Sequence, residues 1–152
     1  MKWKSIRKAM PEKVPSNVKK QVEERAKGCC EYCMAQVRYS QDYFSVEHII
    51  PLVGGGTHSM DNLAFSCQAC NSHKYISTEA IDSISGEMVP LFNPRNDSWK
   101  AHFRWDENFT NIIGVTSIGR ATVLKLKLNL EGLVNLREVL RTAKKHPPLQ
   151  SI

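Results

Sequence analysis

Two Cys-x-x-Cys pairs, Cys30 with Cys33 and Cys67 with Cys70, constrain this chain more than any other feature. Thiols paired at that gap have the spacing of a closed tetrahedral zinc site, and one ion held by two distant segments forces the residues between them to fold back. The fifth cysteine, Cys29, directly precedes Cys30 and is the spare. Free thiols of this kind need a reducing setting. No apolar run of signal-peptide type follows the basic amino terminus, and nothing approaches the roughly 18 consecutive apolar residues of a membrane span. A cytoplasmic protein with no membrane partner is the expectation.

The periodicities around the cysteines place them. Ser16 is read as the cap of a helix over residues 17–26, with Val18, Val22 and Ala26 on one stripe and Gly28 as its stop. Residues 43–50 alternate, with Phe44, Val46, His48 and Ile50 on one face and Ser45 and Glu47 on the other. That is a strand ended by Pro51. Gly54, Gly55 and Gly56 open a polar loop, Leu63–Phe65 reads as a second strand running into Cys67, and residues 71–76 start a helix. Beyond residue 80 the chain reads as a loop, then a hairpin of residues 101–105 with 111–115. A helix capped by Thr116 follows, and a last helix carries Leu133, Leu136 and Leu140.

The formal net charge is +6, with its excess towards the two ends. Such a balance suggests a polyanionic partner, most simply nucleic acid. Arg95, Trp99, His102, Arg104 and Trp105 interleave cations with aromatic rings. They fit either backbone contact and base stacking, or a small second core with its cations facing solvent.

A structural zinc makes no use of Glu47, His48, Asn62 or Asn71, which stand between and just after its ligands. Hydrolysis of a phosphodiester needs a base for water, a counter-charge for the phosphate and stabilisation of the leaving oxygen. An imidazole serves the first need and a hard divalent cation the other two. Magnesium takes oxygen ligands and keeps several waters, so the Glu47 carboxylate and the Asn71 amide oxygen suffice as protein ligands. Neighbours on a strand point to opposite faces, so Glu47 and His48 divide the work. Asn62, in the intervening loop, can fix the His48 backbone or ring by an amide hydrogen bond.

Taken with Glu47-His48-Ile49-Ile50-Pro51, Gly55-Gly56, Asn62-Leu63 and Cys67-Gln68-Ala69-Cys70-Asn71-Ser72-His73-Lys74, residues 28–76 resemble the HNH endonucleases of the ββα-metal fold. The resemblance implies His48 as general base, Glu47 and Asn71 as ligands of a catalytic Mg²⁺ or Mn²⁺, Asn62 as loop organiser, and structural zinc on the four cysteines. Two positions depart from the family pattern. Glu47 stands where Asp is usual, and Asn71 where His is frequent, as in HNN variants; His73 is the other candidate for that last position.

The overall expectation is an α+β fold: a basic arm over 1–15, then a zinc-stapled ββα-metal domain over 16–80 that begins with a helix. An extension over 81–152, with a β-hairpin and two C-terminal helices, packs on the same domain. The function implied is a DNA endonuclease leaving a 5′ phosphate, with RNA not excluded and His73, Lys74, Arg95 and Arg104 touching nucleic acid. The alternatives are a non-catalytic zinc-ribbon module that binds nucleic acid, and a subunit of a larger defence or recombination complex.

Overall fold

A computed structural model describes residues 13–152, so all but the last three residues of the expected basic arm lie outside the described residues. The first helix, α1, spans Ser16–Arg25 and begins one residue earlier than its sequence suggests. Pro15 occupies the cap and Ser16 the first turn, with no side-chain cap bond. Proline's fixed φ launches the helix without a capping hydroxyl. Val22 is fully buried from its inner stripe.

The centre is a strand, loop, strand, helix unit. β1 (Ser45–His48) pairs antiparallel with β2 (Leu63–Ser66), setting Val46 opposite Phe65, Glu47 opposite Ala64 and His48 opposite Leu63. α2 (Gln68–Lys74) follows, one turn earlier than its composition suggests. Cys67 is its cap, with the sulfur accepting from the Cys70 amide at 3.5 Å. The zinc knuckle and the helix start are therefore the same four residues.

The hairpin is buried on both faces. Val46, Leu63 and Phe65 pack with Val22 of α1 and with Ala26 just past its end. On the other side Ala64 joins a larger cluster containing the four cysteines, Tyr32, Ile49, Phe92, Trp99 and Leu126. The alternation of β1 thus separates two apolar layers, and a side chain changes layer with every residue.

The C-terminal half adds two hairpins. β3 (Glu79–Ile81) with β4 (Met88–Pro90) occupies a stretch whose prolines had suggested only a loop. Its turn is pinned by Asp82, a buried carboxylate that accepts two bonds from Arg120 at 2.8 Å each. A short helix α3 (Trp99–His102) leads into β5 (Phe103–Trp105), which pairs with β6 (Ile112–Gly114). Thr116 caps α4 (Ser117–Lys125), its hydroxyl accepting from the Gly119 amide at 3.0 Å. A Cβ on Gly119 would stand 2.1 Å from the His102 carbonyl oxygen, so only glycine admits this approach of α4 to the hairpin. The last helix, α5, spans Glu131–Thr142.

Of the two readings of the aromatic stretch, the rings follow the core one, but they join the main cluster around the four cysteines rather than a second core, and Arg95 does not face solvent. Trp99, Phe103 and Trp105 are buried, Trp99 donates to the Tyr32 carbonyl at 3.0 Å, and Trp105 donates to Ser151 at 3.1 Å. They are not available to stack on bases. His146 is likewise buried, edge-on against Trp105, its centroid 4.6 Å away. The fold is α+β with small antiparallel sheets. Among the described residues no helix is long and apolar enough to cross a membrane.

Candidate active site and zinc centre

Cys30 and Cys33 sit in a tight turn after α1, closed by the Met34 amide on the Cys30 carbonyl and by the Cys30 amide on the Ala35 carbonyl. Cys67 and Cys70 open α2. All four are buried, and their sulfurs lie within 4.8 Å of one another, Cys33 to Cys67 at 3.6 Å. A tetrahedral zinc with 2.3 Å bonds needs sulfurs about 3.8 Å apart, so the donor set fits that ion in type, number and spacing. Without a cation the sulfurs must share protons: contacts led by Cys30 raise the Cys33 and Cys70 thiols well above the usual range, while Cys67 is held far below it. A dication removes the conflict by taking all four as thiolates. Cys29 lies outside the group, its thiol raised by burial.

Arg137 of α5 reaches this centre from the far end of the chain. It is 4% exposed and donates to the Cys33 carbonyl at 3.3 Å, the Leu128 carbonyl at 2.7 Å and the Thr110 carbonyl at 2.9 Å. Among the described residues no carboxylate pairs with it. Burial lowers its pKa, and the negative charge of the four cysteine sulfurs opposes that fall. A lone arginine on a helix gives no sign of such depth in the sequence.

At the end of β1, His48 and Glu47 take opposite sides. His48 is half-exposed. Burial lowers its pKa first, neighbouring His58 and Lys74 add to the fall, and Glu47 opposes it. The backbone from His48 to Ile50 is held by two side chains. Lys74 donates to the His48 carbonyl at 3.2 Å and to the Ile49 carbonyl at 3.0 Å. Asn62 accepts from the Ile50 amide and donates to the Ile50 and Thr57 carbonyls, each at 2.9 Å. Every hydrogen of the Asn62 amide is thereby committed to backbone, which makes it a clasp on the loop rather than a group facing solvent.

Glu47 requires a correction. It is 5% exposed; one oxygen accepts from the Tyr32 hydroxyl and the other from the Lys74 ammonium at 3.1 Å. A hydrated magnesium needs an oxygen that reaches solvent. Glu47 as placed does not fit that role, because its strand position points it into the layer opposite His48. Lys74 is corrected for the same reason: at 2% exposure, with three bonds made, it cannot meet nucleic acid.

Arg95 is also withdrawn from the surface, its side chain 12% exposed and ion-paired with Glu31. Glu31 in turn accepts from the Phe65 amide at 2.8 Å, so the pair ties the Cys30–Cys33 turn to β2. Asn71 remains half-exposed on α2, with no side-chain hydrogen bond among the described residues. His73 is half-exposed, its Nδ1 donating to the Ala69 carbonyl at 2.7 Å, and Arg104 is exposed.

Two residues enter this region that sequence reading passed over. His58, in the polar loop after Gly56, stands with Nδ1 2.9 Å from His48 Nε2. Tyr32, between the first two cysteines, supplies the hydroxyl on Glu47. Tyr32 had a signal in its place inside the knuckle; His58 had none, because loop closure alone delivers it.

The HNH endonuclease family model matches residues 30–75, from the first zinc ligand to the end of α2. Residues 30–75 are therefore similar to an HNH domain and hold a cysteine tetrad suited to structural zinc, a match that suggests a nuclease or nucleic-acid-related function. No curated protein matches the chain.

Proposed function

We propose that this protein is an HNH endonuclease that hydrolyses DNA phosphodiester bonds, with His48 as the general base. The observation supporting it is the half-exposed His48 imidazole inside the matched segment, with the backbone from His48 to Ile50 held by Lys74 and Asn62. His48 takes the proton from a water that attacks phosphorus, and the 3′ oxygen leaves, so the product carries a 5′ phosphate. A rigid base costs little reorganisation at the moment of transfer. HNH domains use divalent ions, and dependence on Mg²⁺ or Mn²⁺ belongs to this reading, with Asn71 the oxygen available on the exposed side. A reducing, cytoplasmic setting suits the thiols.

Nicking of supercoiled plasmid with Mg²⁺ or Mn²⁺ tests it. His48→Ala should lower cleavage by about 10²–10⁴-fold while zinc content and DNA binding persist. Wild-type kcat/KM should rise with pH to a plateau, with its midpoint below the ordinary histidine value of about 6.5, because only neutral imidazole accepts a proton and His48 is shifted down. The withdrawal of Glu47 into an ion pair favours a second reading, a zinc module that binds nucleic acid without cutting it. Binding without cleavage under any divalent ion would establish that one.

A further inference from the structure

Between β1 and β2 the chain returns His58 to His48, so that Nδ1 of the first lies 2.9 Å from Nε2 of the second and the rings stand 5.0 Å apart. This return is built in. Gly56 lies so close under the strand end that an added Cβ would meet the Ile50 carbonyl oxygen at 1.8 Å. The Asn62 amide that grips Ile50 also grips Thr57, the residue before His58. The Ser59 amide closes on the Thr57 hydroxyl at 3.3 Å. One clasp therefore sets both imidazoles.

A bond between two neutral imidazoles has one donor and one acceptor, and its direction decides what His48 can do. If His58 Nδ1–H donated, His48 would spend its lone pair on that bond and carry its proton on Nδ1, with nothing left to accept from water. If His48 Nε2–H donates, its Nδ1 keeps a free lone pair, and His58 carries its own proton on Nε2. Only the second arrangement leaves His48 a base.

We propose that His58 is a positioning residue: it accepts the His48 Nε2 proton, and so fixes the ring and the tautomer that presents Nδ1 to the attacking water. This rests on the reading of His48 as the base, and its test has an arm independent of activity. In the zinc-loaded, ¹⁵N-labelled full chain, long-range proton–nitrogen correlation spectra at a pH where both rings are neutral should show His48 protonated on Nε2 and bare on Nδ1.

His58→Leu should disperse that tautomer and lower kcat for plasmid nicking by about tenfold or more. That is short of the roughly 10²–10⁴-fold of losing the base itself, with KM and zinc content unchanged. His58→Asn, whose amide oxygen stands near the place of Nδ1, should restore both the tautomer and most of kcat. His48 protonated on Nδ1 in the wild type, or full kcat in a folded His58→Leu protein, would overturn the proposal. A wild type that does not cleave overturns the endonuclease reading instead, and the His48 tautomer then decides the pairing alone.

Discussion

Glu47 and His48 are neighbours in the chain that end in different environments. His48 meets solvent and a second imidazole, while Glu47 closes a buried pair with Lys74 and Tyr32. A buried pair of this kind contributes little net stability over an apolar replacement, but removing one partner strands the other charge at a cost of about 3–5 kcal/mol. Glu47→Gln should therefore destabilise the fold by that order in denaturant unfolding, and Lys74→Met in the same chain should recover part of it. A catalytic metal ligand would behave otherwise, with stability kept and the divalent-ion requirement shifted upward. Metal titration beside the unfolding curve separates the two. His48 and Asn62 were legible in the sequence as special residues because strand and loop patterns left them unexplained. The partners of Glu47 were not legible, since Lys74 stands 27 positions away and reads as a surface lysine.

At the scale of the element, α2 begins and ends on unusual residues. Its cap is a cysteine that also serves the zinc set, and its last turn gives way to Tyr75 at φ 50°, ψ −118°. That conformation suits glycine, and a side chain there stores about 1–3 kcal/mol. Tyr75 is 74% exposed, so its ring contributes little burial in return. Tyr75→Gly is thus expected to stabilise the protein by about 1 kcal/mol, raising Tm by roughly 2–4 °C in a thermal melt. A lower Tm would show that the ring packs usefully after all. The existence of α1, β1, β2, α2, α4 and α5 followed from period and turn chemistry, whereas boundaries slipped by a residue or a turn wherever Pro15 or Cys67 acted as the cap. The β3–β4 hairpin escaped sequence reading because its stability comes from Arg120 on Asp82, a contact 38 residues long.

For the whole molecule, the zinc centre is the joint. Its four sulfurs share one cluster with Leu91, Phe92, Trp105 and Leu128, and Arg137 spans from α5 to the Cys33 carbonyl. Structural zinc contributes about 10–16 kcal/mol of apparent binding energy in small domains. Cys67→Ala should accordingly unfold the C-terminal hairpins along with the knuckle, seen as loss of both zinc and tryptophan fluorescence shift. Arg137→Met keeps the stem and removes the cation, leaving the two net negative charges of a zinc tetrathiolate unbalanced in a buried site. Faster zinc loss to a competing chelator is the expected result, and unchanged release would assign Arg137 to packing alone.

The sequence by itself determined the zinc set, the HNH segment and the ββα order, because these depend on spacings along the chain and on periods of two and 3.6. The tertiary structure alone decided which charged residues meet solvent. Lys74, Arg95 and Arg137 carry the same charge as any surface cation, and only the packed fold removes them from water and supplies each with oxygen partners. It alone also brought His58 to His48, since that contact depends on where a ten-residue excursion closes.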